Sequence, residues 1–460
     1  MARERSLDQL EGSAYAQTSD RTTPGRHDRL GSVSTEERTW AGTYTFTAPR
    51  IVEAASVDEV QRLVADAAGA RDKVRALGTR HSFNGIADTT GTLVSILALD
   101  PDPVIDEAAG TVTVGSGIRY GALANWLEQY GWALHNTGSL PHISVGGATA
   151  TGTHGSGNAL GVLSTAVRGL EYVAPDGSLV TVRRGDPDFE GMVVGLGAFG
   201  IVVRTTLAIE PSFRMRQDAF HGLPWDVVLG DLEAVTGAAY SVSLFTDWLG
   251  DLVQLAVRKT RLESDDSPVG GIPVPEVWNG AIRQPAFSIF GDDDENTTTG
   301  DGTPGPWNER LPHFRFDRSP SAGDEIQTEY FVDRGQGAEA LRAVRALGER
   351  IAPHLQITEF RTAAADQLWL SGSYQRPTLA IHFTWKNDPE AVRALLPDIE
   401  AALAPFDARP HWGKVNTVDA ATLAHVHPRL ADARALFERL DPAGIFSNGY
   451  LEQRGVRTAR

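Results

Sequence analysis

The feature that most constrains this chain is a run of small residues over 138–157, reading GSLPHISVGGATATGTHGSG. A segment with so few large apolar side chains cannot build a core of its own. Its glycines lack Cβ, so other groups can approach the backbone closely. Two readings are open: a long flexible Gly/Ser/Thr loop, or a backbone surface that receives something flat or phosphorylated. A second segment of similar character, Leu77-Gly78-Thr79-Arg80-His81-Ser82-Phe83-Asn84, directly follows an expected strand at 73–77. Gly, Thr and Ser there can turn successive backbone N–H groups toward one point, an anion nest suited to pyrophosphate.

The 460 residues leave room for several domains and a sizeable core. The absence of cysteine excludes disulfides, thiolate metal sites, Fe–S clusters, Cys nucleophiles and cysteine-linked cofactors. With 42 Lys plus Arg against 59 Asp plus Glu, the net charge of −17 repels phosphate backbones, so no nucleic-acid partner is expected. No apolar run approaches the ~20 residues that span a bilayer, and residues 1–15 lack the apolar stretch of a secretory signal. A cytoplasmic protein without a membrane partner is expected.

Along the chain, 1–38 is polar and unpatterned and reads as a flexible extension. Ser56 and Glu59 form a capping-box pattern ahead of Val60, Leu63, Val64 and Ala67, which share one helical face. Strands are expected at 73–77, 93–96 and 111–114, and a helix at 120–130. Strands at 170–173 and 179–182 flank the turn Ala174-Pro175-Asp176-Gly177-Ser178. Later, 240–248 and 252–259 read as strands. Residues 262–306 read as a long surface loop whose acidic run, 292–295, is solvated. A helix at 338–350, a strand at 378–384, a helix at 391–404 and short helices over 417–460 complete the pattern.

Two motifs lead away from chemistry. Gly195-Leu196-Gly197-Ala198-Phe199-Gly200 matches a dinucleotide fingerprint in letters, but the β-branched run 201–207 follows it where a helix should open. A tight turn feeding a strand is expected instead. His425 and His427 have no third ligand at metal spacing and read as surface histidines, so no metal site is expected. A third constellation stays open. Glu359 and Arg361 stand at i and i+2, hence on one strand face, and His382 and Thr384 repeat that spacing, with Lys414 further on. This is either an exposed strand face or a pocket for a hydroxyl-rich ligand, whose OH groups want both donors and acceptors.

Taken with RALGTRHSFN at 75–84, GLGAFGIV at 195–202, PGPWNERLPHFR at 304–315, EFRT at 359–362, HFTW at 382–385 and ARPHWGKV at 408–415, the chain resembles the vanillyl-alcohol-oxidase type of FAD enzymes. Within it, the alditol (xylitol) oxidases are most similar. The resemblance implies an α+β fold: a two-part FAD-binding domain over 39–211 and 417–460, interrupted by a substrate-binding cap built on an antiparallel sheet over 212–416. It implies FAD attached covalently through His81. Gly78, Thr79, Arg80 and Ser82 would hold the pyrophosphate, and Ser139, Ser144, Gly147, Ala148, Thr149, Ala150 and Val202 would line the cofactor. Ser139, Glu359, Arg361, His382, Thr384 and Lys414 match the family's polyol pocket, with Lys414, Arg361 and Glu359 as its catalytic groups. The implied partners are a small polyhydroxylated substrate and O2, and the implied state is a monomer. Arg80 departs from the pattern: many relatives carry Gly there, and Arg is costly if φ is positive. Gly138 either leaves room for O2 beside the flavin or is required by backbone geometry. An aldonolactone, a sugar or a hydroxylated metabolite is the alternative substrate; a flavin- or carbohydrate-binding protein without turnover is the alternative class.

Overall fold

The computed structural model describes residues 37–99, 102–262, 274–284, 289, 295–318 and 324–459. The expected extension 1–38 lies outside them except for Glu37 and Arg38, and the acidic run 292–295 except for Glu295.

The first part of the chain holds two larger sheets, beside a two-stranded pairing of Trp132–Ala133 with Glu210–Pro211. Three short strands, Arg50–Glu53, Thr92–Ser95 and Val74–Leu77, pair in parallel in that spatial order. The helix Val57–Ala70 covers them, started by Ser56, whose hydroxyl accepts from the Glu59 N–H, and packed through Val60, Val64 and Ala67. The second sheet is antiparallel, in the order Val104–Asp106, Thr111–Gly115, Ile201–Ala208, Val167–Val173, Leu179–Arg183. The Gly195–Gly200 segment is the expected turn: Leu196 and Gly197 take φ 53° and 65°, and the strand Ile201–Ala208 follows at once. Arg75 fixes this turn by donating to the carbonyls of Leu196 and Gly197.

Strands from Arg214 to Pro410 form one nine-stranded, largely antiparallel sheet. Its central path runs Arg214–Pro224, Leu252–Leu262, Ser241–Thr246, Leu355–Ala363, Thr378–Lys386 and Glu325–Asp333. One face is apolar. Leu379, Ile381, Phe383 and Trp385 alternate along their strand and join a core with residues of the helices Trp225–Gly230, Gly337–Arg345 and Pro389–Leu403. The other face carries the intervening polar residues and looks toward the first two sheets. The last helices, Ala420–Val426, Leu430–Leu440 and Gly449–Gln453, return to the core of the first part through Leu423, Leu436, Phe437 and Leu451.

Three local expectations change. The helix expected over 338–350 breaks after Arg345 and restarts at Gly348. A Cβ on Gly348 would lie 2.7 Å from the Trp248 carbonyl oxygen, so the break allows a close approach. Within 262–306, Ile282–Gln284 pairs with the sheet edge at Ala219–His221, and Trp278 is fully buried against Phe220. This part of the segment is not a surface loop, because that aromatic mass has been drawn into the cap core. His425 is exposed, as expected, but His427 is buried against Trp412 with centroids 4.9 Å apart. Among the described residues no three potential metal ligands cluster, and no helix is long and apolar enough to cross a membrane.

Candidate active site

A single cavity lies between the small-residue loops and the polar face of the large sheet. It brings together all of the expected cofactor residues, Gly78, Thr79, Arg80, His81, Ser82, Ser139, Ser144, Gly147, Ala148, Thr149, Ala150 and Val202. It also gathers Glu359, Arg361, His382, Thr384 and Lys414. None of the expected site residues is elsewhere.

The loop side is built for close backbone approach. A Cβ on Gly78 would meet Ser144 Oγ at 2.6 Å, so glycine lets the two segments touch without moving the Ser144 hydroxyl. Among the described residues, the backbone amides from Gly78 to Ser82 donate to no protein acceptor. Arg80 takes φ 62°, the left-handed conformation that turns consecutive N–H groups to one side. Buried side-chain atoms on this wall, among them Arg80 Nε, His81 Nδ1 and Ser144 Oγ, also have no protein partner. Buried polar groups are nearly always satisfied, so orphans of this kind mark where a ligand belongs. The His81 ring stacks on Trp40, centroids 5.0 Å apart. Burial and the neighbouring His142 push the His81 imidazole down to about 3, which keeps it neutral. A small-residue cradle, free amides and a neutral imidazole with Nδ1 unpartnered fit a phosphorylated flavin.

The sheet side is polar, and it is buried: Glu359, Arg361, His382 and Thr384 are all less than a tenth exposed. That rules out the exposed-face reading, because a buried polar face is stable only when its groups are paired. The register explains the grouping. Glu329, His382 and Glu359 sit on one rung across three adjacent strands, and Gln327 faces Thr384 on the next. His313 Nε2 lies 2.9 Å from Glu359 Oε1, and Arg361 Nε is 3.4 Å from Glu359 Oε2. Arg361 also donates to Ser139 Oγ at 3.2 Å and to Glu329 Oε1 at 3.1 Å. Lys414 donates to the Gln327 side-chain carbonyl.

The charges are set by these neighbours. Burial alone would raise the Glu359 carboxyl, but Arg361 and His313 hold it well below the usual range. Glu329 is held low in the same way by His154, His382 and Arg361. Burial brings His382 to about 4 and His313 to about 4, so both rings are neutral. Burial also pushes the Lys414 ammonium down to about 8, with Glu329 opposing and Arg361 reinforcing the shift. The site therefore offers two carboxylate acceptors, neutral imidazoles, a fixed guanidinium and a lysine that titrates near neutrality. This set can bind several hydroxyls and stabilise negative charge developing on one oxygen.

Several lining residues have no assignment from the sequence: Gln327, Glu329, His154, His313, His411 and Trp40. The polar alternation Glu325, Gln327, Glu329 in a strand could have exposed two of them, since i, i+2 and i+4 share a face. The histidines carry no such signal; only the tertiary fold brings them here. An apolar wall, Phe245, Ile289, Phe314 and Ile357, bounds the same cavity.

Residues 48–183 match the FAD binding domain family, and 322–454 match the D-arabinono-1,4-lactone oxidase family. Among characterised relatives, the alditol oxidase of a Streptomyces species is 44% identical over 423 residues, covering 91% of this chain and 99% of that one. The L-gulono-1,4-lactone dehydrogenase of Mycobacterium tuberculosis is 30% identical over 436 residues, covering 89% and 97%. Cholesterol oxidase from B. sterolicum shares the fold with a TM-score of 0.72 at 15% identity, over 91% of this chain and 96% of that one. With the loops, the cap sheet and these relatives in agreement, the chain belongs to the vanillyl-alcohol-oxidase-type family of FAD-linked oxidoreductases.

Proposed function

We propose that the protein oxidises a terminal hydroxyl of an alditol such as xylitol or sorbitol to the aldehyde, with O2 reduced to H2O2. The observation that carries this reading is the buried polar sheet face, Glu359, Arg361, His382 and Thr384, closed by Ser139 and Lys414. Its mixture of donors and acceptors suits a chain of hydroxyls. The 44% identity to an alditol oxidase across nearly the whole chain supports the same substrate class.

FAD, when bound, would supply the hydride acceptor and the route by which the electron pair reaches O2. In our reading His81 tethers it covalently, and the amides of Gly78 to Ser82 hold its pyrophosphate. Ser144, Gly147, Ala148, Thr149, Ala150 and Val202 line it. Ser139, Glu359, His382 and Thr384 bind the non-reacting hydroxyls and orient the terminal carbon. Arg361 and Lys414 stabilise the negative charge that develops on the reacting oxygen as its proton leaves. A neutral fraction of Lys414 can take that proton, since burial has brought its ammonium to about 8. The domain limits 39–211, 212–416 and 417–460, a monomeric state and a cytoplasmic location belong to the same reading.

A second reading keeps the flavin and changes the substrate to an aldonolactone. It is favoured by the match of 322–454 to a lactone-oxidase family. Anaerobic addition of xylitol, sorbitol or L-gulono-1,4-lactone to the purified yellow protein separates the two. Bleaching by the alditols, with recovery on admitting air, is the expected result. Bleaching by the lactone alone transfers the function to the second reading. Flavin bands that respond to none of the three would leave a binding protein.

A further inference from the structure

Three side chains converge on the carboxylate of Glu329, which is 2% exposed. His154 Nε2 lies 2.9 Å from Oε1, Arg361 Nη2 lies 3.1 Å from Oε1, and His382 Nδ1 lies 3.5 Å from Oε2. Arg361 and His382 come from neighbouring strands of the cap sheet. His154 comes from the small-residue run on the cofactor side. Arg361 closes the ring, because its Nη1 donates both to the His154 carbonyl and to Ser139 Oγ, each at 3.2 Å. The carboxylate thus joins two groups of the substrate pocket to the segment that lines the cofactor.

We propose that Glu329 is a positioning residue for the oxidation: it orients Arg361 and His382 toward the substrate and clamps the 138–157 run against the cap sheet. The proposal takes only its substrate from the polyol reading. A guanidinium satisfied on three sides has its plane fixed. Without Glu329, Arg361 is free to turn fully onto Glu359, whose Oε2 is already 3.4 Å from its Nε. His382 Nδ1 lies 3.5 Å from Glu329 Oε2 without a formed hydrogen bond, so a proton placed on Nδ1 would face that carboxylate and leave Nε2, 3.2 Å from Thr384 Oγ1, as the acceptor for a hydroxyl.

Glu329 also acts on Lys414. The groups around that ammonium are Glu325, Gln327 and Glu329 from one strand, His382 from the neighbouring strand, Glu359 and Arg361 from the strand beyond it, and His411 from the segment that follows Pro410. His81 faces it from the loop side. Removing the Glu329 charge leaves Arg361 less opposed, so Lys414 loses its proton at lower pH.

The test uses holoenzyme carrying Glu329→Gln, a change of charge at nearly constant shape. Flavin content, melting temperature and the pH dependence of flavin reduction by xylitol are measured against the parent. The expected result is a fall in the second-order rate of about tenfold or more, with the limb of the pH profile that reports Lys414 displaced to lower pH by at least about half a unit. Imidazole-nitrogen NMR of the oxidised holoenzyme should show His382 as the Nδ1–H tautomer in the parent and as a mixture in the variant. An unmoved Lys414 limb and tautomer, with activity lost only in proportion to bound flavin, would overturn the proposal. If Glu329→Gln does not fold, Glu329→Asp decides. A parent-like limb with a raised KM supports the clamp, and parent-like values throughout refute it. A parent protein inert to xylitol but active on L-gulono-1,4-lactone sinks the alditol reading alone, and the same comparison then runs on the lactone. A parent reduced by neither substrate overturns both.

Discussion

Arg80 stands at φ 62°, where an L side chain costs roughly 1–2 kcal/mol relative to the right-handed region. The surroundings hold it there: its carbonyl accepts from the Trp40 N–H at 2.8 Å, and its guanidinium lies 3.6 Å from Glu37. The strained residue adjoins His81, whose imidazole stacks on Trp40 and whose Nδ1 is buried and unpartnered. His81→Ala is expected to abolish covalent attachment while leaving a loosely bound flavin. After acid precipitation the yellow colour should move to the supernatant; colour that stays in the pellet would refute His81 as the tether. At this scale the sequence was highly legible, because RALGTRHSFN and the 138–157 run are distinctive strings. The orphan atoms were not, since satisfaction of a polar group depends on everything packed around it.

The cap strands were legible as period-2 patterns, yet their patterns left two meanings open. On Thr378–Lys386, Leu379, Ile381, Phe383 and Trp385 alternate with Thr378, Ala380, His382 and Thr384, and every residue before Lys386 is buried. Alternation alone cannot separate a solvated polar face from one covered by a second layer; the loops lying over it decide that. The helix expected at 338–350 found its place but not its break, which answers to the approach of Trp248. The turn carrying Gly138 belongs to this scale too. A Cβ there would meet Ile143 Cδ1 at 3.4 Å, an ordinary contact, so alanine fits without disturbing the backbone. Gly138→Ala should therefore fold normally, keep its anaerobic reduction by substrate, and reoxidise in O2 about tenfold or more slowly than the parent. An unchanged reoxidation rate in stopped flow would assign that glycine to backbone geometry alone.

For the whole molecule, the decisive property is that one interface between two parts of the chain buries an unusually charged set. His313, His382 and His411 are buried as neutral rings, at about 4, 4 and 3, mainly because burial disfavours the cation. In the unfolded chain they titrate near 6.5, so below that pH the unfolded state binds more protons and stability falls as pH falls. The carboxylates of Glu329 and Glu359, held low in the fold, act in the same direction below their ordinary 4.5. Each histidine contributes up to about 1.4 kcal/mol per pH unit in this window. The melting temperature should drop steeply between pH 6.5 and 4; a flat profile there would mean that these rings are protonated in the native state. By resemblance to a known family, the local strings alone were enough to determine the fold class and the cofactor family, and they pointed to residues that the fold gathers in one cavity. Only the tertiary structure decided that the polar strand face is buried, that Glu329 joins Arg361, His382 and His154, and that His427 is internal. Those facts depend on which distant segments cover a face and on charges brought together across the sheet register, and neither is encoded in any local window.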